Sequence, residues 1–439
     1  MTVRATTRPA YGARTTLAVA AVSAVNGLSR ALGRGSGTVA GGRAGLVIDP
    51  GLLASLAHDR RVALISGTNG KTTTTRLLAA ALDGAGGAAS VVSNDTGANM
   101  PPGHVAALVG SPSAPIAVLE VDEGYLGRVI DDTDPAVIVL LNLSRDQLDR
   151  ISEVRMLVDR WRAALGGLVG PGPGVAGTVV VANADDPMVA WAAQAAPAVR
   201  WVGAGQVWHD DAVGCPACGG RISFDGGGWW GCDSCEFARP DTDAEVVGHE
   251  LVVADGVRHE FALELPGQFN RANAGMAAIA ALSMPGADGG PAAVDAVLGR
   301  LRAVTEVAGR FSTVTRGGRP VRLMLAKNPA GWTAVFDLFD ESGDTSAPVV
   351  LSVNARTADG LDTSWLWDVP FERLAGRSVV ATGDRRLDLA VRLRYAEVDH
   401  DVVDGPVAAL DHALWRSAPG PTTEFLGNYT AFADLRRAL

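Results

Sequence analysis

Apolar runs of strand length recur along the chain, at residues 62–65, 89–93, 116–119, 136–141 and 179–182. Each empties into a polar or glycine-rich stretch, and the spacing between runs leaves room for a helix. Unbroken apolar runs of this length suit strands buried on both faces. Strands alternating with helices, with polar residues at the strand ends, predict an α/β fold on a doubly wound, mainly parallel sheet. Residues 349–353 and 379–382 repeat the pattern near the C-terminus. At 439 residues the chain is too long for one ordinary core. A first domain over 1–306 and a smaller α/β domain over 307–439 are expected. Ahead of the first strand, residues 13–33 read as an amphipathic helix and 50–58 as a short one. Between them, residues 33–42 read as a flexible glycine-rich loop able to wrap a ligand's phosphates through backbone N–H groups.

Chemistry concentrates after the first run. Ser66 leads into Gly67, Thr68, Asn69, Gly70, Lys71, Thr72 and Thr73, with residues 73–82 as the following helix. Strand, glycine turn, Lys-Thr and helix make a phosphate cradle, in which backbone N–H groups and the helix dipole face the anion. Lys71 would reach the β- and γ-phosphates of ATP, and the Thr72 hydroxyl would sit on Mg²⁺. An ordinary glycine turn is the alternative. The chain holds only two lysines, Lys71 and Lys327, among 38 basic residues. Where arginine is the default cation, a retained lysine suggests a need for a compact point charge. The third run ends in Glu120-Val-Asp-Glu-Gly124, carboxylates suited to Mg²⁺ unless they simply face solvent.

Composition narrows the class. A hydrophobic share of 47% with 20% charged residues is that of a soluble globular protein, and a net charge of −10 opposes a general nucleic-acid binder. All four cysteines fall within 215–235, which is no disulfide framework for a chain of this size. Cys215-Pro-Ala-Cys218 and Cys232-Asp-Ser-Cys235, thirteen residues apart, predict a zinc ribbon inserted over about 205–245. Four thiolates close the coordination shell, so Zn²⁺ there is structural; a redox dithiol pair is the alternative. Trp229 and Trp230 are expected to pack around the metal rather than stack on nucleic acid. Residues 17–25 are apolar and follow Arg4, Arg8 and Arg14, mimicking a signal peptide, but nine residues cannot span a bilayer. The need for ATP implies the cytoplasm. The helix over 13–33 either touches the inner face of the membrane or packs on the first domain.

GTNGKTTT, EVDEG, NLSRDQLD, NADDP and Leu265-Pro-Gly-Gln-Phe-Asn-Arg-Ala-Asn273 occur in the order shown by the Mur ligase family, which the chain resembles over most of residues 60–310. That family forms amide bonds by ATP-dependent carboxylate activation. The resemblance implies that Lys71 and Thr72 hold the triphosphate and Mg²⁺, and that Glu120 ligates Mg²⁺. It puts Asn270 and Asn273 near the adenine and Arg310 near the phosphates. Two departures stand out. Asp146-Gln147 replaces the family's usual Asp-His, and residues 152–168 lack the lysine that many members carbamylate, with Trp161 in the approximate place. The inserted four-cysteine ribbon and the C-terminal segments resemble the amidating synthetase subunits of the family. In Leu325-Ala-Lys-Asn-Pro, Lys327 takes the place of a histidine. This branch implies amidation of the stem-peptide D-glutamate of lipid II in peptidoglycan synthesis, with a GatD-type glutaminase as heterodimer partner. With all four cysteines committed to metal, no free thiol remains, and the ammonia source must be another chain. An aspartate of residues 353–368 would complete the partner's Cys-His pair. Asp359, in a turn expected to present it outward, is favoured over Asp362 and Asp368. The competing readings are a free-standing amino-acid ligase and a zinc-ribbon ATPase that binds nucleic acid or regulates a partner.

Overall fold

The computed structural model describes residues 11–439 apart from 33–37, 84–89, 95–96, 146–153, 174–176, 206–207, 226–227, 287–289, 306–310 and 419. Its strands in chain order are β1 (Arg61–Ser66), β2 (Val91–Ser93), β3 (Ile116–Glu120), β4 (Val137–Leu140), β5 (Val179–Asn183) and β6 (Val199–Gly203). β7 (Ile222–Phe224), β8 (Trp230–Cys232), β9 (Ala244–Val247), β10 (Glu250–Val253) and β11 (Arg258–Glu260) follow. The C-terminal set is β12 (Phe311–Arg316), β13 (Arg319–Leu325), β14 (Val349–Ser352), β15 (Val379–Thr382), β16 (His400–Val402) and β17 (Thr423–Gly427).

Nine strands form the first sheet in the order β11-β10-β9-β6-β5-β4-β1-β3-β2. From β6 to β2 all neighbours are parallel, as the unbroken apolar runs predict, and antiparallel β9–β11 extend one edge. β1, β3 and β4 are buried along almost their whole length. Leu77 and Leu78 with Met276 and Ala277 pack on one face; Leu52, Leu126, Val158 and Trp161 pack on the other. β1 is flanked by β3 on one side and β4 on the other, so the loops leaving β1 and β4 part at a topological switch point. A second sheet, β12-β13-β17-β14-β15-β16, is parallel except for the β12–β13 hairpin, and carries its own two cores.

The N-terminus corrects one expectation. Residues 38–42, read as loop, begin the helix Thr38–Ile48, while 33–37 lie outside the described residues. Its glycines are packing surfaces rather than hinges. A Cβ on Gly41 would stand 2.1 Å from Asn26 Oδ1, one on Gly42 1.8 Å from the Pro102 carbonyl oxygen, and one on Gly45 2.5 Å from Val22 Cγ2. Small residues let this helix lie close against the helices Ala13–Ala31 and Pro101–Gly110. Composition says glycine; tertiary approach decides helix. Among the described residues no helix is long and apolar enough to cross a membrane.

Candidate active site

The turn after β1 needs glycine at Gly70. Its φ is +87°, and a Cβ there would lie 2.5 Å from Asn273 Oδ1. The turn is tied to the loop after β4 by reciprocal bonds. Asn69 N–H donates to Asn142 Oδ1 at 2.9 Å, and Asn142 Nδ2 returns a bond to Asn69 O at 3.0 Å. Thr68 Oγ1 donates to Ser144 O and accepts from Ser144 N, both at 3.0 Å. The loop is therefore shaped before any ligand arrives.

Lys71 opens the helix Lys71–Asp83 and is buried, with Nζ 2.5 Å from Gly67 O, 3.3 Å from Thr68 O and 3.0 Å from Glu123 Oε2. Trp161 fixes the backbone beside that ion pair by donating Nε1–H to Glu123 O at 2.9 Å. Thr72 Oγ1 donates to Glu120 Oε2 at 2.8 Å, while Glu120 Oε1 is buried with no hydrogen-bond partner among the described residues. A buried carboxylate oxygen without a donor is costly alone and suits a hard divalent cation. The residues present thus fit Mg²⁺ on Glu120 and Thr72.

The backbone of Glu120 is held from two sides. Asn94 accepts its N–H at 2.7 Å and donates to its carbonyl at 2.9 Å. His104 Nε2 lies 2.8 Å from the same carbonyl. Burial pushes His104 down to about 4, so the ring is neutral at physiological pH and Nε2–H is the donor. Burial, then the neighbouring Glu123, raises the pKa of Asp122; Lys71 and Lys327 oppose the shift.

A cavity of about 370 Å³ spans the two sheets' domains. Asn69, Gly70, Thr72 and Thr73 of the loop line it, with Asn270 and Asn273 from the first domain and Lys327 and Gly331 from the C-terminal domain. Lys71 and Glu120 are not among the lining residues, and Lys71 folds back on its own loop. Asn270 Nδ2 donates to Pro266 O at 2.7 Å. Arg310, Asp146 and Gln147 lie outside the described residues.

Sequence reasoning missed Trp208, which walls the cavity beside Gly205 and Ala204. Its Nε1–H donates to Asp211 Oδ2 at 2.7 Å, and Asp211 Oδ1 pairs with Arg145 at 2.5 Å. Arg145 also lies 3.7 Å from Asp368 of the C-terminal domain. A lone tryptophan just ahead of the first cysteine pair was the only signal for it.

The four cysteine sulfurs lie within 4.8 Å of one another, with Cys215–Cys235 at 3.8 Å and Cys218–Cys232 at 3.5 Å. Four thiolates about 2.3 Å from a tetrahedral ion stand about 3.8 Å apart, so the cluster fits Zn²⁺. Trp230 is fully buried beside Cys215 and Phe237 and anchors the ribbon by donating Nε1–H to Ala184 O at 3.0 Å. Trp229 is 52% exposed, with its ring lying over Gly231, the neighbour of Cys232.

Asp359 also departs from expectation. It is 4% exposed rather than presented outward. Its Oδ1 accepts the Thr430 N–H at 2.8 Å and Oδ2 accepts the Thr430 hydroxyl, so it caps the helix Tyr429–Ala438. Asp362 is exposed, bonded to the Ser364 N–H at 2.8 Å. Neither aspartate lines the cavity.

A phosphate cradle with a cation-ready carboxylate, opening onto a cavity shared with a second α/β domain, defines an ATP-dependent ligase of the Mur type. The Mur ligase middle domain matches residues 65–214, and the MurT ligase C-terminal domain matches residues 325–432. The subunit MurT of lipid II isoglutaminyl synthase (glutamine-hydrolyzing) from Streptococcus pneumoniae is 32% identical over 413 residues, covering 87% of both chains. Its Staphylococcus aureus counterpart is 28% identical over 438 residues, covering 94% of both. A pseudomurein peptide ligase type C from Methanothermus fervidus shares the fold, with TM-score 0.63 and 20% identity over 87% of this chain and 79% of that one. The chain belongs to the MurT family.

Proposed function

We propose that this chain is the synthetase subunit that amidates the D-glutamate α-carboxyl of the lipid II stem peptide to D-isoglutamine, using ammonia from a GatD-type glutaminase subunit. The observation that carries this reading is the Lys71–Thr72–Glu120 cluster beside one cavity with Lys327, in a chain of this family.

A carboxylate is a poor electrophile, and ammonia does not displace its oxygen in water. An oxygen of the substrate carboxylate attacks the γ-phosphorus of ATP, and ADP leaves, giving an acyl phosphate. Lys71 exchanges its contacts with Gly67, Thr68 and Glu123 for phosphate oxygens and stabilises the charge that develops. Glu120 and Thr72 would hold Mg²⁺, which neutralises phosphate charge when bound. Asn270, Asn273 and Trp208 form the nucleoside side of the cavity, and Lys327 approaches the phosphates from the C-terminal domain; a phosphate contact by Arg310 rests on the family resemblance alone. Ammonia then attacks the acyl carbon, phosphate leaves with one original carboxylate oxygen, and the amide keeps the other. Ammonia is mostly protonated at neutral pH, so delivery from a glutaminase supplies the neutral nucleophile where it is needed. Asp362, the exposed carboxylate, is the better placed of the two to orient a histidine of the partner. Zn²⁺ in the ribbon is structural. The site of action is the cytoplasmic face of the membrane.

The test measures ATP hydrolysis and the mass of lipid II with this chain alone and with a GatD-type subunit, supplying glutamine or an ammonium salt. The COOH-to-CONH₂ mass change, with glutamine working only beside the partner, supports the reading. Addition of a whole amino-acid residue without any partner overturns it in favour of a free-standing ligase.

A further inference from the structure

The helix Ala13–Ala31 buries Thr15, Ala18 and Val22 against the first domain. Its opposite face carries Leu17, Ala20, Ala24, Leu28 and Ala31, which recur at three- and four-residue steps and are all exposed. Leu17 and Leu28 are each 61% exposed, and Leu32 at the helix end is 59% exposed. The neighbouring helix Thr38–Ile48 adds Val39 and Val47, 45% and 82% exposed, with the exposed Arg43 between them on the same face. Two adjacent helices thus leave apolar faces uncovered within one small N-terminal unit.

Charge indicates what covers them. Residues 1–48 hold six arginines and no aspartate or glutamate, while every one of the chain's 48 acidic residues lies at or beyond Asp49. In a protein of net charge −10 this is a sharp separation, and the only cationic end coincides with the uncovered apolar stripe. An apolar face flanked by arginine and free of acids is the composition of a helix that lies in a bilayer interface. Anionic headgroups attract such a segment, and aliphatic side chains enter the acyl boundary.

We propose that the exposed face of helices Ala13–Ala31 and Thr38–Ile48 docks this protein on a bilayer containing anionic phospholipid. The proposal does not depend on the amidation reading, because the lipid surface itself is the ligand. Docking would hold the ligase at the plane in which a lipid-linked substrate diffuses.

The experiment is co-sedimentation of the full chain with substrate-free vesicles, either phosphatidylcholine alone or phosphatidylcholine mixed with phosphatidylglycerol. Binding to the anionic vesicles, lost at high salt and absent from the neutral ones, is the expected result. Leu17→Gln/Leu28→Gln/Val47→Gln should abolish it. Arg14→Gln/Arg43→Gln should weaken partition about fivefold per arginine. Arg43→Glu alone should weaken it too, which keeps the test decisive if the Arg14 change disturbs folding. Melting temperature and ATP turnover in solution should stay unchanged in the stripe variant. No binding to anionic vesicles, or binding that survives the stripe substitutions, overturns the proposal. Loss of self-association or of glutaminase binding in the stripe variant, with vesicle binding intact, would assign the face to a protein partner instead.

Discussion

The phosphate loop and the cysteine ribbon are both short and punctuated by glycine, but their polar groups are arranged for opposite ends. In the loop, backbone and side chains are tied down by Asn142 and Ser144, while the groups that would meet a ligand are held in reserve. Lys71 rests on carbonyls and Glu123, and one oxygen of Glu120 has no donor among the described residues. In the ribbon every ligand atom turns inward: four sulfurs converge within 4.8 Å and Trp230 seals the base. An open carboxylate site can exchange partners during a reaction; a closed thiolate site can only hold shape. Structural and chemical roles thus separate by whether valence is left over.

Substitutions in the loop and in the ribbon should therefore fail in different ways. Lys71→Ala should lower ATP turnover about a hundred- to a thousandfold, the usual cost of losing a charge that meets a developing oxyanion. Its melting temperature should fall as well, because Glu123 loses its buried partner, so turnover is compared on folded protein. Glu120→Gln should cost about a hundredfold and raise the Mg²⁺ concentration for half-maximal rate, since an amide oxygen binds the cation more weakly. Cys232→Ser should act through stability: bound zinc drops on elemental analysis, the near-UV signal of the buried Trp230 collapses, and turnover falls less than about tenfold. A Cys232→Ser loss as large as that of Lys71→Ala would mean the ribbon takes part in chemistry. Trp208→Ala should raise the KM for ATP about tenfold with kcat nearly unchanged, the effect of one lost base-stacking contact.

The two aspartates of the C-terminal domain give the most selective change. Asp362→Asn should abolish glutamine-dependent amidation while ammonium-dependent amidation persists. Asp359→Asn should affect both nitrogen sources alike, through loss of about 1 kcal/mol of helix capping read by thermal melting. The reverse pattern would return the partner-facing role to Asp359.

The sequence was legible where chemistry and periodicity coincide. Val62 to Lys71 could be read as strand and cradle because an unbroken apolar run, a glycine turn and a lone lysine each point the same way. The cysteine spacing was equally direct. What stayed hidden depended on distant residues. Gly41, Gly42 and Gly45 look like a loop until Val22 and Pro102 are seen to fill the space beside them. Asp359 looks like a surface turn until Thr430, far along the chain, takes both its oxygens. Trp208 has no motif, and only the closing of the cavity gives it a role.

Carboxylate activation in the cradle of Gly67 to Thr73 is the step on which amidation depends. The most direct measurement follows heavy oxygen from a labelled substrate carboxylate during turnover with ATP and ammonia. Label in the inorganic phosphate is the predicted result, because the acyl phosphate must release one carboxylate oxygen with phosphorus. Phosphate free of label, with amide still formed, would contradict it.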